Sequence, residues 1–325
     1  MKTIYLVTGA NGHLGSAVCA ALREKGEEVR ALVLPGENTD FIRTLGVSVV
    51  FGNVCEKEEL EAFFEPEKPA RRIVIHCAGI VDITDGNSER MELVNIGGTQ
   101  NVIDMCKKFN VYRFLYVSSV HAIPVPAKGR VIRETAAFSP ETVDGAYAKT
   151  KAAATALVLE SAKDGVPAIV VHPSGIIGPY LGNGNHLVQM VKSYISGKLP
   201  AVVRGGYDFV DVRDVCRALL TLGEGTLRDQ YILSGHPVSV EQLYRDVNRL
   251  LGVRRRPVIF PTALVRPFVP LTRTLNKITL KALTEPHCYS CTRATAAFGY
   301  QPTPWEDTVR DTVEWFRNTA PDSAE

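Results

Sequence analysis

Tyr147 and Lys151, set four apart in Ala146-Tyr-Ala-Lys-Thr-Lys151, are the pair in this chain best suited to moving a proton. At a helix start that spacing puts both side chains on one face. A free tyrosine ionises near pH ~10, too high for a base at neutral pH. An ammonium beside it is expected to favour the phenolate and bring that value toward the working range. The same lysine can hold a ribose hydroxyl. Ser118-Ser119 follows the apolar run Arg113-Phe-Leu-Tyr-Val117, just past the carboxyl end of an expected strand, where open parallel sheets receive ligands. A serine hydroxyl there can donate to a substrate carbonyl while Tyr147 gives or takes the proton. Taken alone, Tyr-x-x-x-Lys also describes a half-buried tyrosine beside a surface lysine, so its meaning depends on its neighbours.

The strongest neighbour is Thr8-Gly9-Ala10-Asn11-Gly12-His13-Leu14-Gly15, between the apolar run Ile4-Tyr-Leu-Val7 and a helical Ser16 to Arg23. A strand ending at Val7, a turn on glycines and a helix starting near Asn11 would aim unpaired N–H groups and a partial positive charge at an anion. In the dinucleotide fold the first glycine turns the chain, the second admits the pyrophosphate and the third lets helix and strand pack closely. The spacing here is Gly-x-x-Gly-x-x-Gly, and the strand-before, helix-after setting the motif needs is present. Nucleotide binding is the expectation.

The elements that must hold these residues read as alternating strands and helices. Expected strands are Glu28–Val33, Val47–Phe51, Arg72–His76, Arg113–Val117 and Ala168–His172; expected helices are Glu58–Phe64, Met91–Phe109 and Ala146–Lys163. Near-continuous apolar strands separated by helices imply an α/β, Rossmann-type doubly wound parallel sheet covered on both faces. After Pro173 the pattern loosens: a glycine-rich passage, a helix His186–Ser196, strands at 199–203, Phe209–Arg213 and Tyr231–Leu233, and a helix Val240–Leu251. Arg254 to Leu283 has poor periodicity, and Trp305–Phe316 is amphipathic and expected to dock on the main domain. The implied organisation is a dinucleotide domain over 1–174, rejoined by 205–235 and 304–318. A smaller, less regular substrate lobe takes 175–204 and 236–303.

Composition narrows the function classes. The chain has 325 residues, 45% hydrophobic and 22% charged, with a net charge of +2, which is ordinary for a globular protein and gives no polyanion-binding surface. Arg254-Arg-Arg256 reads as a solvated loop and not as a nucleic-acid site. No apolar run reaches the ~18 residues of a membrane helix, and glycines, Asn11 and His13 break up the start of the chain where a signal peptide would lie. The apolar stripe from Val258 to Leu271 is fragmented by prolines and suits a substrate cleft better than a membrane surface. Seven scattered cysteines suit a reducing, cytoplasmic setting; Cys288 and Cys291, lacking a second pair, read as ordinary thiols and not as a metal site.

The order of Thr8–Gly15, His76-Cys-Ala-Gly79, Asn95 with Gly98-Thr99, Ser119, and Tyr147 with Lys151 resembles the extended short-chain dehydrogenase/reductases. These are also called the NAD-dependent epimerase/dehydratase family, and the resemblance runs over essentially the whole chain. Within it the chain is most similar to the dihydroflavonol-reductase-like and 3β-hydroxysteroid-dehydrogenase-like branch, in Asp208-Phe-Val-Asp-Val-Arg-Asp214 and in the loose C-terminal lobe. The resemblance implies that Ser119, Tyr147 and Lys151 are catalytic. It implies cofactor contacts from Gly9, Asn11, Gly12, His13, Leu14 and Gly15, from Leu34, Asn53 and Val54, and from Cys77, Ala78 and Gly79. Asn95, Val117 and Lys151 join them, with His172, Pro173 and Ser174 beside the nicotinamide. Asn95 either buttresses the site or is a helix-interior amide bonding a neighbouring element.

Two departures bear on specificity. Where NAD-preferring members place an acid at the end of the second strand stands Val33, followed by Leu34, so the lean is to NADP over NAD. Asn53 replaces the usual aspartate and can still bond an adenine edge. The implied activity is an NAD(P)-dependent carbonyl reductase or alcohol dehydrogenase acting on a small, apolar or ring-containing substrate. The alternative is a nucleotide-sugar epimerase with the same triad, disfavoured because Tyr207 stands where an arginine would grip a diphosphate. A cofactor-sensing binding protein without catalysis is a third class. His121 reads as a solvent-facing loop residue, and a homodimer fits the family pattern.

Overall fold

The computed structural model describes residues 2–65, 69–82, 88–127, 130–180, 186–198, 201–265, 280 and 288–319. Seven strands form the main sheet: β1 Thr3–Thr8, β2 Glu28–Val33, β3 Ser48–Phe51, β4 Arg71–His76, β5 Arg113–Val117, β6 Ala168–Pro173 and β10 Gln230–Leu233. Their order is β10-β6-β5-β4-β1-β2-β3, every pairing parallel. The direction of winding reverses between β1 and β4, and a doubly wound sheet opens its ligand crevice at the carboxyl ends of such a pair. Gly9 follows β1 and Cys77 follows β4, so the sequence places its glycine loop at this point.

Side-chain alternation along the strands builds two apolar layers. Tyr5 and Val7 of β1, with Ile73, Ile75 and Leu115, face α1 (His13–Glu24) and α8 (Val212–Glu224). Ile4 and Leu6, with Val74, Phe114 and Val170, face α3 (Lys57–Phe64), α5 (Thr99–Lys108) and α6 (Ala146–Lys163). A one-residue slip of β1 would exchange the two sets, so its register, and with it the loop after Thr8, is tightly held.

The second half returns through a three-stranded sheet, β11-β9-β7, made of β7 Gly175–Ile177, β9 Gly206–Asp211 and β11 His236–Ser239. Beside it lie α7 (His186–Ile195), α9 (Val240–Leu251) and a parallel pair, β8 Ala201–Val203 with β12 Val258–Phe260. Leu187, Val191, Tyr194, Leu243, Val247 and Trp305 share this lobe's core.

Four expectations need correcting. The strand expected over Phe209–Arg213 stops at Asp211, whose side chain caps α8 by accepting from Arg213 N at 2.8 Å. The apolar positions 212, 215, 219 and 222 are one face of that helix, masked in the sequence by the β-like Phe-Val-Asp-Val. The first helix starts at His13, two residues past the expected start, with Gly12 as its N-cap, and the Asn11 side-chain amide donates to Glu37 Oε2 (3.1 Å) and Asn38 O (2.9 Å). The stretch Met91–Phe109 is not one α-helix: Glu92–Gly98 is π-helical, between a short helix Ser88–Met91 and α5. The C-terminal helix Trp305–Thr319 buries Trp305, Val309, Val313 and Phe316 in the smaller lobe's core and not on the large sheet. Its ties to the start of α8 are polar, Thr308 Oγ1 to Asp211 at 2.8 Å and Arg213 to Asp311 at 2.5 Å. Of the irregular 254–283 segment, residues 266–279 and 281–283 lie outside the described ones. Cys288 and Cys291 are free thiols, and among the described residues no helix is long and apolar enough to cross a membrane.

Candidate active site

The glycine loop is shaped by backbone contact. Gly9 has φ +62°, and a Cβ there would lie 2.6 Å from Ala78 N. A Cβ on Gly15 would lie 2.1 Å from Gly9 O, so α1 could not approach β1 as it does. Gly12 is different: its Cβ would meet only Gly9 O, at 3.3 Å. No side chain caps α1, and its first turn holds no acid. The helix therefore presents free N–H groups and uncompensated positive potential over a bare backbone, which fits a dinucleotide's pyrophosphate. His13 donates through Nε2 to Pro179 O at 3.0 Å and leaves a buried Nδ1 without a partner. Burial lowers its pKa, so the ring is neutral.

Gly145, with φ +96°, turns the chain into α6, and the first two turns of that helix carry Tyr147 and Lys151 inward. Both are buried, and both line a cavity of about 470 Å³ together with Ser119. Gly9, Gly12, His13, Leu14 and Gly15 line the same cavity, as do Cys77, Gly79, Val117, Pro173 and Ser174. The Lys151 ammonium donates to Val117 O at 2.9 Å and stands 5.2 Å over the Tyr116 ring. Burial lowers its pKa to about 8. Tyr147 is not made acidic as expected: burial pushes its pKa up to about 12, with only the Ser119 hydroxyl pulling it down. The cause is burial of the phenol, which outweighs the pull of the Ser119 hydroxyl. Ser119 Oγ accepts from His121 N at 3.2 Å, and the His121 ring sits edge-on to Tyr147 at 6.0 Å.

Several expected cofactor contacts lie behind this surface. Asn95, in the π-helical turn, accepts from Ile80 N (2.7 Å) and donates to Ile80 O (3.0 Å) and Thr150 Oγ1 (3.1 Å). It clamps the loop after β4 to α6, one turn from Tyr147, and does not line the cavity. His172 is fully buried, bonded to Ser119 O (3.3 Å) and Gln230 Oε1 (3.0 Å) and stacked on Phe138, so it fixes Ser119 from behind. Ala78 donates its N–H to Thr8 Oγ1 at 3.3 Å, and Val54 is buried where a Cβ on Gly98 would strike it. Leu34 and Asn53 meet in a second pocket, lined also by Pro35, Glu56, Glu58, Glu59 and Arg90. There Asn53 Oδ1 accepts from Cys55 N at 3.0 Å, which fixes the orientation of its amide.

Three further residues on the cavity wall were not assigned a site role from sequence, although Tyr207 was noted at a substrate-facing position. Asp208 and Tyr207 come from β9 and Tyr289 from the stretch before the helix Thr292–Phe298. The Asp208 motif was legible as a family likeness, but no periodicity reveals that β9 leaves the main sheet to form this wall. His121 is exposed, as expected for a loop, yet also lines the cavity.

With the crevice, the glycine loop and the Tyr–Lys helix in place, comparison with known proteins agrees with the architecture. The NAD dependent epimerase/dehydratase family matches residues 5–230, and the chain belongs to that family. Sterol demethylase protein B of Methylococcus capsulatus is 27% identical, the match covering 96% of this chain and 98% of that protein. Mouse 3 beta-hydroxysteroid dehydrogenase type 7 is 28% identical, covering 96% and 95%. Among solved structures, Thermus thermophilus UDP-glucose 4-epimerase in complex with NAD superposes with a TM-score of 0.80 over 97% of this chain and 99% of that one, at 20% identity, a likeness of fold. The chain thus falls in the extended short-chain dehydrogenase/reductase branch that its motifs resemble.

Proposed function

We propose that this protein is an oxidoreductase that moves a hydride between a nicotinamide dinucleotide and a carbonyl or secondary alcohol on an apolar, ring-containing small molecule. The observation that carries the reading is one cavity shared by the glycine loop and by Ser119, Tyr147 and Lys151. Gly9, Gly12 and the first turn of α1 would hold the pyrophosphate, and Lys151 a ribose hydroxyl; the bound dinucleotide supplies or accepts the hydride. Ser119 donates to the substrate carbonyl oxygen and concentrates positive charge where negative charge develops. Tyr147, protonated at neutral pH with a pKa of about 12, gives its proton to that oxygen as the carbonyl carbon is reduced. The Lys151 ammonium, preset by Val117 O, stabilises the phenolate left behind. In the oxidative direction the same proton returns to Tyr147.

The names of the sterol-related relatives and the largely apolar wall from Ile80, Val81, Ile176 and Leu187 support a ring-containing substrate. A nucleotide-sugar substrate is less well served, because the wall that would meet its diphosphate offers Tyr207 and Asp208 and, among the described residues, no cation. For the cofactor we infer NAD(H), reversing the lean taken from Val33 and Leu34. Glu56, Glu58 and Glu59 surround the pocket at Leu34 and Asn53, where a 2′-phosphate would be repelled, and among the described residues Arg90 is the one cation lining it. Purified protein should consume NADH with cyclic ketones such as decalones and sterol ketones. Tyr147→Phe should cut turnover by at least ~100-fold with dinucleotide affinity nearly intact. Unchanged turnover in that variant would remove Tyr147 from the mechanism.

A further inference from the structure

Part of the cavity wall is polar without belonging to the glycine loop or to the Ser119–Tyr147–Lys151 group. Ser174, the single residue between β6 and β7, is only 7% exposed, and its hydroxyl makes no hydrogen bond of good geometry. A buried hydroxyl without a partner is costly and asks for a ligand. Asp208 of β9 lies beside it, close enough for the hydroxyl to act on the acid, though burial has the larger effect and holds the carboxyl above its ordinary range. Asp208 Oδ1 accepts from Gly235 N at 3.0 Å, which pins the side chain at the corner of the small sheet. Its other oxygen takes no backbone donor. Around the pair stand Tyr207, Ile176 and Leu187.

We propose that Ser174 and Asp208 form a second polar subsite, which receives a hydroxyl group carried by the substrate at a distance from its reacting carbonyl. Asp208 accepts the substrate O–H, and Ser174 donates to the same oxygen, so a hydroxyl satisfies both at once. A methyl ether or a bare ring carbon leaves the Ser174 hydroxyl and the second oxygen of the half-buried Asp208 carboxyl unanswered, and an anionic group meets a carboxylate. Substrates of this class are neutral hydroxyketones or diols with an apolar ring body. The inference rests on the reductase reading for the identity of the reacting group, but not for the existence of the subsite.

The test is calorimetric titration of the full chain, saturated with NAD, with 2-decalone, a set of hydroxydecalones covering the second ring, and their methoxy analogues. At least one hydroxydecalone should bind about 10- to 100-fold tighter than both 2-decalone and its methoxy counterpart. Asp208→Asn keeps an acceptor for Gly235 N–H, so its thermal midpoint should hold while most of that preference disappears. Ser174→Ala should reduce the preference several-fold. Equal affinities across the set in the native protein, or a preference that survives Asp208→Asn, would overturn the subsite. Discrimination in binding without turnover keeps the subsite and sinks the reductase reading, whereas turnover of all members without discrimination does the reverse.

Discussion

Gly12 and Gly15 lie three residues apart in one loop, and the structure assigns them separable jobs that two alanine variants can resolve. At Gly15 an added Cβ falls 2.1 Å from Gly9 O and 2.8 Å from Ala10 Cα, both backbone atoms that no rotamer change can move. Relieving that contact means shifting α1 off β1 by roughly 1 Å, an overpacking cost of ~1–3 kcal/mol at the upper end of its range. The helix-propensity gain of Gly→Ala offsets at most about 1 kcal/mol, so Gly15→Ala should destabilise by about 2 kcal/mol. At Gly12 the Cβ meets only Gly9 O at 3.3 Å and the backbone angle, φ −78°, is open to any residue, so Gly12→Ala should fold normally. Its methyl instead occupies the approach to the first N–H groups of α1. Losing one charge-assisted hydrogen bond of ~1.5–3 kcal/mol weakens dinucleotide binding by roughly 10- to 150-fold. Urea unfolding and quenching of intrinsic fluorescence by NADH measure the two effects on the same samples. Native-like affinity in Gly12→Ala, or native stability in Gly15→Ala, would refute the assignment of phosphate approach to one glycine and close packing to the other.

Other outcomes follow from the same geometry. Lys151 titrates near about 8 because burial disfavours its charge, so kcat/KM for the dinucleotide should be level below that pH and decline above it as the ammonium is lost. A profile flat to pH 10 would separate Lys151 from binding. Burial lowers the pKa of His76 to about 3 and of His172 to about 4, so the folded protein binds fewer protons than the unfolded chain below the ordinary histidine value of ~6.5. Stability is therefore full above ~6.5 and is lost as pH falls toward those folded values, by about 2 kcal/mol per histidine at pH 5; urea midpoints across pH check this, and an absence of slope there would contradict it. Glu58→Gln with Glu59→Gln should narrow the preference for NADH over NADPH severalfold in fluorescence titrations, since two carboxylates facing the pocket are neutralised.

The parts of this molecule that alternate strictly between strand and helix were readable in the chain. Helix α6 falls at the expected Ala146–Lys163, and β2 at Glu28–Val33, because apolar periodicity and glycine stops act locally. Regions set by long-range contact were not readable. The π-helical turn at Glu92–Gly98 is held by Asn95 reaching Ile80 and Thr150, partners 15 and 55 residues away. Helix α8 was hidden because Asp211 looks like a strand residue until its carboxylate is seen capping Arg213 N. The state of Tyr147 was misjudged for a related reason: spacing puts Lys151 on the same face, but only the fold reveals how deeply the phenol is buried, and burial raises its pKa. Around the proposed adenine end, sequence drew attention to Val33 and Leu34, while the carboxylates lining that pocket come from Glu56, Glu58 and Glu59 at the start of α3.

The two lobes are stitched together by very short seams. Ser174 alone separates β6 from β7, Ser234 and Gly235 separate β10 from β11, and β9 runs into α8 without a break. Three such seams, carried by strands that neighbour one another in the small sheet, tie the wall of the pocket directly to the edge of the large sheet. On the proposed two-point binding, selectivity becomes a matter of length: a molecule should fit when the span between its two polar ends matches the distance between the two polar walls.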